Sequence, residues 1–195
     1  MAAIADEHAR AITALGDGIV DVVGFSTGAS IALQLAADHP GAVRRLAVVG
    51  GACRLSPTGR EVQARVAELL RAGRARAAAR AAASAVAPRG TRAAAGAVAW
   101  LGAGRAFGDP DARDDLATTL EAEVAFDLTG GTDPISAPTL VVMGDRDRFY
   151  GPELARETAS LIPGSHLVIV RHRGHLTAST HHRTVATLGG FLLAD

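Results

Sequence analysis

The chain has 195 residues, 48% hydrophobic and 21% charged, with 20 basic against 20 acidic side chains. That composition excludes a disordered chain, suits one soluble globular unit with a real core, and gives no overall electrostatic reason to bind nucleic acid. Its single cysteine, Cys53, excludes an internal disulfide and a cysteine-built zinc site, and no apolar run approaches the roughly 18 residues that would cross a bilayer.

Residues 1–10 carry Asp6 and Glu7 and lack a basic region followed by an apolar one. No secretory signal is read there, and a cytoplasmic protein with no membrane partner is expected. Residues 2–15 read as a helix, with Ile4, His8, Ala11, Ile12 and Leu15 at helical spacing and Gly16 beyond the end. The β-branched run 19–24 reads as a strand buried on both faces, and 29–38 as a helix stopped by His39-Pro40-Gly41. A second strand is expected over 43–50, a third over 139–144, a helix over 152–162, a fourth strand over 166–170 and a closing helix over 177–193. Strands alternating with helices at this spacing imply an α/β fold, a parallel sheet of about four strands with helices on its faces.

Residues 57–130 break that rhythm. They are alanine-rich, carry helical spacing at Val62, Val66, Leu69, Leu70, Leu116, Leu120 and Val124, and offer no strand. Residues 60–92 hold eight arginines against two glutamates, and residues 109–133 hold eight acids against one arginine. An arginine-rich stretch can serve an anionic surface, but opposite blocks within one insertion also attract and neutralise each other, and the second reading is preferred. All 20 basic residues are arginine beside abundant alanine, which suits a GC-rich genome better than a functional demand.

The segment richest in chemistry is Gly24-Phe25-Ser26-Thr27-Gly28, placed between a strand and a helix. A nucleophilic serine there sits on a turn so tight that side chains two residues either side would clash, hence the expected glycines. The helix that follows points its N-terminal N–H groups at charge developing during attack. A serine hydroxyl needs a base, and the base an orienting acid. Asp145 and Asp147 end the third strand and His175 follows the fourth, so both loops open on the same sheet edge as Ser26. The order Ser, Asp, His is that of one hydrolase fold.

With these residues the chain resembles the α/β-hydrolase superfamily, and closely its cap-bearing, carboxylesterase-like members. The likeness runs over nearly the whole chain and rests on the Gly24–Gly28 elbow, the stretch from Ala137 to Asp147, and the Gly174-His175 pair. It implies Ser26 as nucleophile, Asp147 as acid, His175 as base and the Thr27 backbone N–H as oxyanion donor. It also implies a helical cap at 57–130 over a core of 1–56 and 131–195. The implied reaction is hydrolysis of a small-molecule ester, thioester or lactone through an acyl-enzyme, with no cofactor, metal or nucleic acid. Asp145 is the rival acid, although the family uses the second aspartate and the first usually caps the turn. His172, His181 and His182 form a loose cluster without metal-ligand spacing. Trp100 and Phe107 are candidates for the pocket lining, and Cys53 for a small core residue.

The resemblance also implies strands, and a loop with a second oxyanion donor, ahead of the nucleophile strand; the chain begins at a helix 26 residues before its serine. Two expectations follow: a start lying further upstream, or a catalytically impaired remnant that binds without turnover. The strand at 19–24 would then be a sheet edge through which a second copy can pair.

Overall fold

The computed structural model describes residues 1–16, 18–106, 109–131 and 135–194. Four short runs rich in β-branched residues form its one sheet: β1 (Val20–Phe25), β2 (Val43–Val49), β3 (Thr139–Gly144) and β4 (His166–Val170). The strands are parallel and lie in the order β1-β2-β3-β4. Sheet order therefore follows chain order, and every strand runs toward the edge that carries the site.

Side-chain alternation along the strands builds two cores. On one face Leu46, Val48, Val141 and Met143 pack with Ala5, Ala9 and Ile12 of α1 (Ala2–Ala14), Leu33 of α2 (Thr27–Asp38) and Ala155 of α7 (Gly151–Leu161). On the other, Ala47, Val49, Leu140 and Val142 meet Ala178 of α8 (His175–Ser179) and Leu188 and Phe191 of α9 (His182–Leu192). All six residues of β3 are buried, as a central parallel strand requires.

Between β2 and β3 the described residues form four α-helices: α3 (Pro57–Arg71), α4 (Ala75–Val86), α5 (Arg92–Ala106) and α6 (Pro110–Val124). Val66, Leu69, Leu70, Ala78, Ala117 and Leu120 belong to an apolar cluster of their own. The α3 start is fixed by Ser56, whose hydroxyl accepts from the Gly59 N–H at 3.0 Å, with Pro57 in the first turn. An antiparallel backbone β-bridge joins Arg54, just before the insertion, to Asp127 near its end. Arg71 of α3 reaches Glu121 and Asp114 of α6, at 3.0 and 3.5 Å, so here opposite charge does cross within the insertion.

Two expectations are corrected. β1 is not buried on both faces: Val23 is 36% and Phe25 47% exposed. The physical reason is its place at the end of the sheet, where β2 is its one pairing neighbour among the described residues. The closing helix is two helices, because the chain turns at Thr180 and His181 starts α9 by accepting the Arg183 N–H at 3.3 Å. The buried stripe of α1 is Ala5, Ala9 and Ile12, while His8, Ala11 and Leu15 are exposed. Alanine lets α1 approach α2 closely, which periodicity of larger apolar residues does not reveal. Among the described residues, no helix is long and apolar enough to cross a membrane.

Candidate active site

β1 ends at Phe25, and the chain turns into α2 through Ser26, whose backbone stands at φ 53°, ψ −123°. A non-glycine residue held there stores strain, and its surroundings hold it: the Ser26 N–H continues the sheet ladder to the Val49 carbonyl at 3.0 Å. Gly24 is required by packing, since a Cβ there would lie 2.5 Å from the Gly28 carbonyl oxygen and 2.6 Å from the Ala29 Cα. Gly51, after β2, is a second contact of this kind, with a Cβ 2.3 Å from that of Ala29. Gly28 does not obey the expected clash, for a Cβ there would meet open space. It lies in the first turn of α2, on a side that no described element covers.

His175 begins α8, just past β4, and is 5% exposed. Its Nε2 lies 2.8 Å from Ser26 Oγ and its Nδ1 2.7 Å from Asp147 Oδ2. The other Asp147 oxygen accepts the Phe149 N–H at 2.8 Å and the Tyr150 N–H at 3.2 Å. With Asp147 ionised, a neutral His175 carries its proton on Nδ1 and offers Nε2 to the serine hydroxyl. Phe149 stacks on the imidazole with ring centroids 5.2 Å apart. Thr27 opens α2, so its N–H has no acceptor within the helix and points from the positive end of the helix dipole.

Asp145 has another job. Its carboxylate accepts the Arg173 N–H at 3.2 Å. It is held below the ordinary carboxylate range, first by the His172 N–H, with the Arg173 N–H and the charges of His172 and Arg146 adding against the opposing effect of burial. It thereby pins the loop on which His172 takes a left-handed φ of 60° ahead of His175. The structure thus brings Ser26, Asp147 and His175 together and leaves Asp145 out of the chain of hydrogen bonds.

Sequence reasoning missed Glu123. This α6 carboxylate is 0% exposed and accepts from Thr27 Oγ1 at 2.8 Å, Ser30 Oγ at 3.1 Å, Gln63 Nε2 and the Tyr150 hydroxyl. Four neutral donors around one buried carboxylate supply the hydrogen bonds that burial demands. Burial first, then the Glu123 charge and hydrogen bond, push the Tyr150 phenol well above its usual range. Nothing in the acidic run of α6 distinguishes Glu123 from its surface neighbours; its helical register relative to Leu120 is the one signal available.

A cavity of about 410 Å³ lies between the end of α4, the start of α5 and the loops after β3 and β4, and His175 forms part of its wall. Trp100 is not in that wall: it is 41% exposed, with the Arg76 guanidinium 4.8 Å above its ring. Phe107 lies outside the described residues. Cys53 is fully buried in the core, as expected. Among the described residues no three His, Cys, Asp or Glu side chains are grouped to hold a metal.

Residues 1–181 match the family model of the alpha/beta hydrolase fold. The chain belongs to the alpha/beta hydrolase family. It is 31% identical over 198 residues to a putative carbamate hydrolase, RutD, of Klebsiella pneumoniae, covering 96% of this chain and 71% of the relative. Among solved structures, MGS-M2, an alpha/beta hydrolase enzyme from a deep-sea metagenome library, superposes with a TM-score of 0.77 at 20% identity, covering 97% of this chain and 69% of that one. The enol-lactonase of Burkholderia xenovorans superposes with a TM-score of 0.71 at 27% identity, over 90% of this chain and 66% of the other. Family membership and these hydrolase relatives identify the chain as a hydrolytic enzyme of this fold.

Proposed function

We propose that the chain is a serine hydrolase that cleaves an ester, thioester or lactone of a small molecule through an acyl-enzyme. The observation that carries this reading is the unbroken run from Ser26 Oγ to His175 Nε2 and from His175 Nδ1 to Asp147, at 2.8 and 2.7 Å. In the first half-reaction His175 Nε2 takes the Ser26 proton as Oγ bonds to the substrate carbonyl carbon. The oxygen that becomes negative is stabilised by the Thr27 N–H and the α2 dipole. The imidazolium, held by Asp147, then gives its proton to the leaving oxygen or sulfur as that bond breaks. In the second half-reaction His175 takes a proton from water as the water oxygen attacks the acyl carbon, and then returns a proton to Ser26 Oγ as the acyl–Oγ bond breaks, freeing the acid and the serine.

Helices α3–α6 act as the cap in this reading, supported by a cavity whose wall joins α4 and α5 to the loops of Asp147 and His175. The named chemistry of the relatives fits, since a carbamate and an enol-lactone each present a carbonyl carbon with a heteroatom leaving group. Hydrolysis of p-nitrophenyl acetate by the full chain tests the proposal. Turnover in the wild type that disappears in Ser26→Ala is expected, and equal rates in the two proteins overturn it. Release of a single equivalent of nitrophenol without turnover would mark the impaired remnant.

A further inference from the structure

The cavity beside His175 has a composition that the triad does not use. Arg146 and Arg148 flank Asp147, Arg173 lies two residues before His175, and Arg92 comes from the first turn of α5; all four line the same cavity. The end of α4, from Ala85 to Pro88, provides an apolar wall. Elsewhere Arg44 pairs with Asp21, Arg54 with Glu157, Arg65 with Glu68, Arg71 with Glu121 and Arg156 with Glu153, while Arg60 meets the Val124 carbonyl and Arg76 the Trp100 ring. Among the described residues none of the four cavity arginines has a carboxylate within ion-pair distance. Arg146 Nη2 instead contacts His172 Nδ1 at 3.1 Å, and Arg92 Nε makes a long contact of 3.5 Å to the Ala87 carbonyl.

The two nearby carboxylates, Asp145 and Asp147, offset part of this charge and leave the cavity positive. Asp147 is committed to His175 and to two backbone N–H groups, and Asp145 to the backbone of the His172 loop. A guanidinium keeps its charge at any physiological pH and presents a planar fork matched to carboxylate and phosphate oxygens. Four of them around one cavity give it a positive potential that favours an anion. The cavity also has a direction. Its wall includes His175 but not Ser26. His175 Nε2, 2.8 Å from Ser26 Oγ, is the group that gives its proton to the leaving atom, so a cavity walled by His175 is placed to take the leaving portion of a bound ester.

We infer that this cavity binds an oxyanion group, a carboxylate or a phosphate, on the leaving portion of the substrate. Resting on the serine-hydrolase reading above, this makes the preferred substrates acyl esters of small anionic alcohols, such as hydroxy acids, and the second product the anionic alcohol itself. The arginines select the substrate through its charge and take no part in the covalent steps.

The test compares two acetate esters of matched shape, O-acetylglycolate and O-acetylglycolamide, with the full chain at low and high salt. The expected result is a kcat/KM at least tenfold higher for the anionic ester at low salt. That ratio should shrink at least tenfold in the Arg148→Gln, Arg173→Gln double variant, and at high salt. A ratio near one, unmoved by the substitutions, overturns the inference while leaving the hydrolase reading intact. Calorimetric titration of the Ser26→Ala chain with glutarate, glutaramide and inorganic phosphate supplies the independent arm. Binding of glutarate or phosphate but not glutaramide, weakened at least tenfold in the double arginine variant, supports the subsite even if neither ester is hydrolysed; the tighter of the two anions names the group. No binding of either anion at millimolar concentration overturns it. The arginines contribute exposed or half-exposed side chains, and an unchanged melting temperature in the variants confirms that their fold persists.

Discussion

The Glu123 carboxylate accepts the Thr27 hydroxyl at 2.8 Å, joining the last turn of α6 to the residue that follows Ser26. The same carboxylate takes the Tyr150 hydroxyl, three residues beyond Asp147. One buried acid from the helical insertion thus braces both the Ser26 turn and the Asp147 loop. Replacing it with alanine takes the shared acceptor from three buried donors and from the half-buried Thr27 hydroxyl, and a loss of about 3 kcal/mol or more is expected from urea denaturation. Thr27→Val removes a single hydroxyl, with an expected loss of about 1 kcal/mol. The variant keeps the Thr27 backbone N–H that faces the oxyanion; if the bond from the Thr27 hydroxyl to Glu123 positions that N–H, kcat should fall with little change in KM. A fall of about fivefold corresponds to about 1 kcal/mol of lost transition-state stabilisation. An unchanged kcat would confine the Thr27 hydroxyl and Glu123 to a structural role.

Asp147→Asn keeps the shape of the acid loop but offers His175 an amide in place of a carboxylate. The imidazole then loses the partner that fixes its proton on Nδ1. Ester hydrolysis should fall by about 10³–10⁴-fold. Asp145→Asn should fall far less, because Asp145 holds the His172 loop and touches neither His175 nor Ser26. Steady-state kinetics on the two variants decides between the rival acids.

Tyr150 is the chain's one tyrosine, so tyrosinate absorbance near 295 nm reports on it alone. Burial and Glu123 raise its folded-state pKa above that of a free phenol, about 10. The native protein should show no tyrosinate at pH values where unfolded protein is half ionised. Because the folded value is the higher one, stability is intact below the free-phenol pKa and falls as pH rises above it, where only the unfolded chain readily loses the proton. A native titration midpoint near 10 would contradict the buried Tyr150–Glu123 contact.

β1 has backbone N–H and C=O groups along the side that faces away from β2, together with the exposed apolar side chains of Val23 and Phe25. An apolar strand edge of this kind is a template for a second copy. Sedimentation velocity of the 195-residue chain at micromolar concentration should show a dimer or larger species. Val23→Lys should shift it toward monomer with little change in stability, since Val23 is already exposed. A single 19.9 kDa species in the wild type would contradict this expectation.

Much of the fold was legible because it rests on short-range signals. β-branched runs bounded by glycine and proline marked all four strands, and the bounds of Thr139–Gly144 and His166–Val170 came out unchanged. The four-helix insertion was legible as a region without strands, but its four boundaries were not, since alanine-rich sequence carries weak periodicity. The burial of β1 was misjudged because composition does not tell an edge strand from a central one. At the site, Ser26, Asp147 and His175 could be picked out by residue type and by their places at strand ends. Glu123 could not, because burial of a carboxylate depends on donors from α2, α3 and the Asp147 loop, which come together only in the folded chain. The arginine-lined cavity was hidden for the same reason: Arg92 is distant in sequence from Arg146, Arg148 and Arg173.

The central claim is that Ser26 is a nucleophile activated by His175, and covalent labelling with a fluorophosphonate tests it most directly. Intact-mass analysis of the full chain should show one adduct, and peptide mapping should place it on Ser26. Labelling should be absent in Ser26→Ala and slowed by orders of magnitude in His175→Ala, since the hydroxyl then lacks its base. An unlabelled wild type, or an adduct that persists when Ser26 is alanine, would contradict the account.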